Sequence, residues 1–252
     1  MEDVGLAQYR AAFLRTTTAA VGGAAVVVDE SGIVGSPGTP SRSGRLLITD
    51  DRACTVLQNL GELRAHAVAV EKTARNCRRY MRSLGSFKEE PATAMFAEDV
   101  SRIAEAELPA GLKLRPVALD GDRAGAVSLE NAAAAAKKAD PDLAHLSLSE
   151  LTAYLREIPA ADFTVAVDEQ GSIRGTAGSN VFGSDAVVFF VTTDVPWRGR
   201  GVGTAVTRAA IRSAEQRGAR QLSLFATPAA ERIYRRLGLQ AVAELTLFSP
   251  LG

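Results

Sequence analysis

The stretch DAVVFFVTTDVPWRGRGVGTAV, residues 185–206, joins a continuously apolar segment to a loop of arginines and glycines. The apolar segment, up to Thr193, predicts a strand buried on both faces of a sheet, because half-exposed strands alternate apolar and polar residues. After Gly201 the apolar residues recur at helical spacing, and Gly218 is a suitable helix end. The loop between strand and helix therefore predicts an anion site, because a helix N-terminus presents unpaired N–H groups.

The composition of this loop suits a phosphate. Its glycines let an anion approach the backbone and accept unusual backbone angles. Its arginines supply charge and planar donors that match phosphate oxygens. Two common phosphate motifs are excluded, since Val206 stands where the fingerprint G-x-G-x-x-G needs its last glycine and no G-K-[ST] is present. The candidate phosphate-binding residues are Arg198, Gly199, Arg200, Gly201, Val202 and Gly203.

Composition narrows the functional class. The chain has 252 residues with 29 basic and 29 acidic side chains, so its formal net charge is zero. Balanced charge offers no footprint for nucleic acid, and the longest apolar run is too short to span a bilayer. We expect no nucleic-acid or membrane partner and a cytoplasmic location. Cys54 and Cys77 lack metal-type spacing, so we expect no metal and no disulfide framework. The serine-hydrolase and zinc-protease motifs are missing.

The sequence predicts a domain boundary where the helical pattern of EDVSRIAEAEL ends at Pro109 and Gly111. We expect an N-terminal α/β or mostly helical domain at 1–111 and a second domain at 112–252. The second part predicts the order β-α-α-β-β-β-α-β-α-β, an α/β fold with a mixed sheet flanked by helices. The first part predicts a helix, a hairpin and a strand, followed by a mostly helical pattern from residue 54 to residue 108.

With the other phosphate motifs excluded, Arg198-x-x-Gly201-x-Gly203 between a strand and a helix resembles the coenzyme A loop of the GCN5-related N-acetyltransferase (GNAT) family. The order of elements in 112–252 is similar to that family's, and the resemblance does not reach 1–111. It implies that acetyl-CoA is the cosubstrate and that its pyrophosphate lies on the amides of the loop. It also implies that the pantetheine arm pairs with the strand end, in the manner of an added strand. The strand residues concerned are Val191, Thr192 and Thr193.

A second element carries the resemblance. AAERIYRRLGL resembles the family's A-x-x-L-Y-x-x-x-G-F element, with Ala230, Tyr234 and Gly238 in register. The resemblance makes Tyr234 the candidate catalytic acid, since a tyrosine hydroxyl can protonate a departing thiolate. The alternative is a tyrosine that only packs on an amphipathic helix. Thr227 stands where the family often has a cofactor-contacting asparagine, and Leu239 replaces the usual aromatic.

These expectations define an acyltransferase. It would move acetyl from acetyl-CoA to a primary amine, on a small molecule or a peptide, by direct attack in a ternary complex, as a monomer or homodimer. The alternative is an acyl-CoA-binding regulatory module without catalysis, which has no need of a proton donor such as Tyr234. No general base is predicted, because Glu130, Asp185 and Asp194 are of a kind more often found as solvated loop charges.

The first half of the sequence contains two segments that resemble segments of the second half. VVVDESGIVGS and VAVDEQGSIRGTAGS share a strand-turn-strand form, and RSLG at 82–85 matches RRLG at 235–238. Hairpins with acidic-glycine turns are common, so the similarity is compatible with chance or with a degenerate duplication. RLLITDD is followed by RACTVLQN, without a glycine loop, so the first half is not expected to bind coenzyme A in the same manner.

Overall fold

The computed structural model describes residues 4–20, 27–29, 32–39, 42–59, 67–119, 124–144, 146–158 and 161–250. The chain forms two compact units. The first unit contains Met1–Phe96, Phe225–Arg232 and Gln240–Gly252, and the second contains Ala97–Leu224 and Ile233–Leu239. The predicted boundary between residues 111 and 112 lies inside the second unit. Compactness is a different property from domain ancestry, so that boundary stays a prediction.

The first half of the chain alternates helices and strands. Its elements are α1 (Val4–Ala20), β1 (Val27–Asp29), β2 (Ile33–Thr39), β3 (Arg42–Ile48), α2 (Cys54–Asn59), β4 (Ala67–Glu71), α3 (Arg75–Ser83) and β5 (Phe87–Ala97). The predicted hairpin is confirmed by the antiparallel pairing of β1 with β2. The mostly helical pattern predicted after residue 54 is wrong in part, because β4 and β5 are strands.

The second half contains the predicted order with one short strand added. Its elements are β6 (Leu112–Ala118), β7 (Val127–Ser128), α4 (Leu129–Ala139), α5 (Leu148–Glu157), β8 (Ala161–Asp168), β9 (Ile173–Phe182), β10 (Asp185–Thr193), α6 (Val202–Gln216), β11 (Gln221–Ala226), α7 (Glu231–Leu237) and β12 (Gln240–Pro250). The predicted α/β class and the mixed sheet are confirmed.

The predicted helix EDVSRIAEAEL is also wrong. It forms a single 3-10 turn at Val100–Arg102 and then an extended segment. The N–H of Val100 donates to the carbonyl of Arg220 at 2.8 Å, and the N–H of Ala104 donates to Leu237 at 2.9 Å. Bonds to other elements thus replace the intrahelical bonds that the sequence pattern favours.

The strands of the first unit follow the order β1-β2-β3-β4-β12-β5. β3 and β4 are parallel, whereas β12 lies antiparallel to both β4 and β5. The last strand of the chain therefore completes the sheet of the first unit. Apolar side chains of β3 alternate between the faces, with Leu46 and Ile48 packed among residues of α2 and α3, and Leu47 packed among residues of α1.

In the second unit the strand order is β11-β10-β9-β8-β6-β7. β10 lies parallel to β11 and antiparallel to β9. Helix α4 begins at the Ser128 cap, and α5 begins with a capping box of Ser147 and Glu150. Helix α6 packs on β8, β9 and β10. Among the described residues, no helix has both the length and the apolar composition needed to cross a membrane.

Candidate functional site

Strands β10 and β11 separate part-way along their length. Their parallel pairing runs from Asp185 with Gln221 to Val187 with Ser223 and ends there. The predicted pantetheine-contacting residues Val191, Thr192 and Thr193 lie beyond this point. On the β9 side, Thr192 and Thr193 remain paired. Along Val191–Thr193 the opposite edge of β10 is therefore no longer paired with β11.

A bulge in β10 produces this geometry. The register against β9 shifts between Phe189 and Thr192, and Phe190 has a φ of 56°. A left-handed backbone costs a bulky residue roughly 1–3 kcal/mol, and such strain concentrates at functional sites. The Thr176 hydroxyl donates to the Phe190 carbonyl at 2.9 Å and contacts the Thr192 hydroxyl at 2.9 Å. Thr176 and Phe190 are not predictable from the sequence, since no local pattern marks a bulge inside a continuously apolar strand.

The glycine-rich loop leads directly into α6. A 3-10 turn at Val195–Trp197 precedes it, and Gly201 caps the helix with a φ of 90°. The N–H of Ala205 donates to the Gly201 carbonyl at 3.0 Å. The N–H groups of the three residues before Ala205 therefore come from the first turn, where a helix has no carbonyl to offer them. They form a natural cradle for an anion.

Gly199 and Gly203 of the loop must be glycine for two different structural reasons. Gly199 has a φ of 75° and open space where a side chain would stand, so its backbone conformation alone requires glycine. A Cβ at Gly203 would lie 3.1 Å from the Thr193 hydroxyl and 3.4 Å from Cδ1 of Ile233. Gly203 therefore permits the close approach of α6 to the end of β10.

Arg198 donates hydrogen bonds to two backbone carbonyls, which its residue type alone does not predict. Its Nε donates to the Thr193 carbonyl at 3.2 Å, and its Nη2 donates to the Ala139 carbonyl at 2.6 Å. Ala139 is the last residue of α4. The guanidinium predicted to bind phosphate thus joins the end of β10 to the C-terminus of α4, where a cation is also favoured by the helix dipole.

Two guanidinium groups lie close to the Trp197 ring. Cζ of Arg174 is 5.7 Å from the ring centroid, and Cζ of Arg200 is 5.3 Å from it. Arg174 also pairs with Asp168 and Asp194, each at 2.6 Å. Asp194 is therefore committed to an ion pair that holds the loop entry, as a structural carboxylate rather than a base. The exposed Arg200 keeps its donors at the surface beside the loop.

Tyr234 is buried in α7 with 5% of its surface exposed. Burial raises the pKa of its hydroxyl to about 12, so the group keeps its proton at neutral pH. Thr227 is exposed in the turn after β11, and its carbonyl accepts the N–H groups of Ala230 and Glu231 at 2.9 and 3.0 Å. Glu130 is an exposed residue that pairs with Arg156 at 3.1 Å.

The second unit therefore combines a parallel strand pair that separates part-way along its length with a glycine-rich loop at the start of a helix. Residues 128–239 match the family model described as Acetyltransferase (GNAT) family. The C-terminal half of the chain therefore contains a GNAT acetyltransferase domain, and the resemblance drawn from the loop and the tyrosine helix is confirmed.

Three solved structures are similar in fold to most or all of the chain. A GCN5-related N-acetyltransferase from Kribbella flavida is 18% identical, with a TM-score of 0.65 over 100% of this chain and 98% of that one. A GCN5-related N-acetyltransferase-like protein from Streptococcus suis is 13% identical, with a TM-score of 0.57 over 98% and 100%. A tandem GNAT protein from the clavulanic acid biosynthesis pathway is 13% identical, with a TM-score of 0.53 over 87% and 78%. No curated protein sequence matches the chain.

Proposed function

We propose that this protein is an N-acetyltransferase that transfers the acetyl group of acetyl-CoA to a primary amine on a small molecule or peptide. The observation that carries the proposal is the separation of β10 from β11 after Val187, directly before the glycine loop. Because the separated strand edge and the first turn of α6 follow each other in the chain, one ligand can use both. An extended amide-containing arm ending in a pyrophosphate has the chemistry that such a site recognises.

Binding would use the backbone more than side chains. The N–H groups of Val202, Gly203 and Thr204 would receive the pyrophosphate, as expected at a helix N-terminus. The exposed Arg200 would add charge from the surface. Along β10, the backbone of Val191–Thr193 would pair with the amides of the arm as with an added strand. Arg198 would then hold the α4 terminus beside the bound ligand through its bond to Ala139.

Catalysis would require a polarised thioester and a protonated leaving group. A backbone N–H at the bulge of β10 would stabilise the negative charge that grows on the thioester oxygen. Tyr234 would give its proton to the departing thiolate, since its hydroxyl is protonated at neutral pH. The neutral amine would attack the acetyl carbonyl directly, so a C–N bond forms as the C–S bond breaks and the chain forms no covalent intermediate. The nitrogen would lose a proton to solvent, and solvent would return a proton to the Tyr234 oxygen.

We further propose that the first half is a degenerate copy of the acetyltransferase fold. From α1 to β5 the order is α-β-β-β-α-β-α-β, and the same order runs from α5 to β12. The strand directions agree as well, because β3 is parallel to β4 as β10 is to β11.

This copy differs where the ligand would lie. β3 and β4 remain paired from Arg45 with Ala67 to Ile48 with Val70, so the strands do not open. Asp51 follows β3, and its carboxylate accepts N–H bonds from residues 76 and 77 at the start of α3. An acidic, closed strand end does not suit a pyrophosphate. We therefore propose that each chain binds one acetyl-CoA, in its second half.

The test is a titration with acetyl-CoA, followed by Trp197 fluorescence and by the melting temperature. A ligand that binds only the folded state at a hundred times its Kd stabilises it by about 2.7 kcal/mol. Thr204→Glu would place a carboxylate in the first turn of α6 and should abolish this stabilisation, whereas the neutral Thr204→Gln should retain more of it. Equal stabilisation of both variants would contradict the proposed site, and saturation at two ligands per chain would contradict the single-site proposal.

A further inference from the structure

A groove in the second unit lies between α6 and the extended segment that precedes β6. Its volume is about 190 Å³, roughly the share of six water molecules in the liquid. Arg208 and Arg212 line it from α6, and Glu105 lines it from the segment opposite. Leu108 and Leu114 add apolar surface. The groove therefore combines positive charge with a small apolar wall.

Arg208 has an unusual environment for an arginine. It is only 7% exposed, and its Nη2 donates to Oε1 of Glu105 at 2.6 Å. Within the described part of the chain, its buried Nε and Nη1 atoms have no hydrogen-bond partner. A buried charged group that lacks acceptors is costly, so these N–H groups call for an oxygen acceptor.

Arg208 also donates fewer hydrogen bonds to its carboxylate partner than several other arginines of this protein do. Three other arginines each donate from Nε to one oxygen and from Nη2 to the other oxygen of a single carboxylate, which is the stronger, fork-like geometry. These pairs are Arg10 with Glu71, Arg52 with Asp50, and Arg82 with Glu89. Arg208 presents only Nη2 to Glu105. One half of its carboxylate-binding edge is therefore unused.

Glu105 is poorly suited to be the permanent partner of this site. Its side chain is 72% exposed, whereas the side chain of Arg208 is 9% exposed. Water screens an exposed carboxylate and offers it alternative hydrogen bonds, so such a pair is weak. A competing carboxylate that also brings apolar surface into the groove would displace it at little cost.

We propose that this groove is a binding site for a small organic carboxylate. The ligand displaces Glu105 and accepts hydrogen bonds from both Nε and Nη2 of Arg208. Arg212, one turn further along α6 and exposed, adds positive charge at the groove. The apolar part of the ligand packs against Leu108 and Leu114.

The experiment measures the binding of sodium butanoate to the full chain by calorimetry and by ligand-observed NMR, at constant ionic strength. Butanamide, which has a similar shape and no charge, is the matched ligand. Glu105→Gln should tighten butanoate binding, since it removes the competing carboxylate. Glu107→Gln, on the same segment and exposed, removes the same charge and should leave the affinity close to that of the wild type. Arg208→Lys should weaken binding about tenfold, because an ammonium cannot present the fork.

Saturable binding of butanoate, with butanamide inactive, would support the site. Equal affinities in the two glutamate variants would overturn it, since a general charge effect would then explain the binding. Failure of butanoate to saturate either the wild type or Glu105→Gln would overturn it too. If Arg208→Lys does not fold, the comparison of the glutamate variants still decides, because both positions are exposed.

Discussion

Gly175 in β9 controls how closely α6 approaches the sheet. Two opposing effects decide whether its replacement by alanine raises or lowers the free energy of unfolding. A Cβ there would lie 2.7 Å from Cγ1 of Val202, 3.3 Å from the Thr192 carbonyl and 3.4 Å from Cγ1 of Val206. Where space exists, Gly→Ala stabilises a protein by about 0.4–1 kcal/mol, because the unfolded chain loses freedom. Overpacking of a core costs about 1–3 kcal/mol. Since the nearest approach is well inside normal contact, we expect net destabilisation.

The consequence reaches the ligand site, because Val202 is the first residue of α6 and its N–H belongs to the proposed anion cradle. Gly175→Ala should therefore also weaken acetyl-CoA binding. Val202→Ala removes the methyl group in the clash. The double variant should then be more stable than the sum of the single effects predicts, by about 0.5–3 kcal/mol. The assay is equilibrium urea unfolding of the wild type, both single variants and the double variant. Stabilisation by Gly175→Ala, or additive effects in the cycle, would refute the reasoning.

Three further predictions concern the tyrosine and the last strand. Tyr234→Phe should lower kcat by about 10²–10⁴-fold and leave the Kd of acetyl-CoA unchanged, as removal of a general acid requires; an unchanged kcat in steady-state kinetics would make Tyr234 a packing residue. The pKa of Tyr234 is raised from 10.0 to about 12 on folding, so its contribution to stability is full below pH 10 and is lost as pH rises towards 12. The unfolding free energy of the wild type should fall more steeply over that window than that of Tyr234→Phe, and parallel curves would contradict this assignment. A chain ended after Leu239 lacks β12 and should lose the protection of β4 and β5 amides from hydrogen exchange, since β12 pairs with both strands; retained protection would contradict that role.

Parts of the fold that depend on local interactions can be recognised in the sequence. Ser128 caps α4, and Ser147 forms a capping box with Glu150, because these residues satisfy N–H groups only a few positions away. The glycine loop also depends on local properties, because glycine itself favours the positive φ angles found at Gly199 and Gly201. Such a loop adopts the same conformation whenever the strand before it and the helix after it form.

The errors in the sequence prediction fall where distant elements compete with local preference. EDVSRIAEAEL has a good helical pattern, yet the N–H groups of Val100 and Ala104 bond to residues more than a hundred positions away. Arg198 has the chemistry for phosphate, yet its guanidinium also bonds to Ala139 on another helix. Residue type identifies what a side chain can bind, whereas packing decides which acceptor it meets.

The sequence by itself determined the loop, the helix starts, the tyrosine helix and the order of elements in the second half, because each depends on neighbours in the chain or on a short periodic pattern. Only the tertiary structure decided that β10 separates from β11 after Val187 while β3 stays paired with β4. It also decided that β12 enters the sheet between β4 and β5, and that Arg208 is buried with its Nε atom unpartnered among the described residues. Strand pairing and burial depend on contacts between residues far apart in the chain, and no local pattern encodes them.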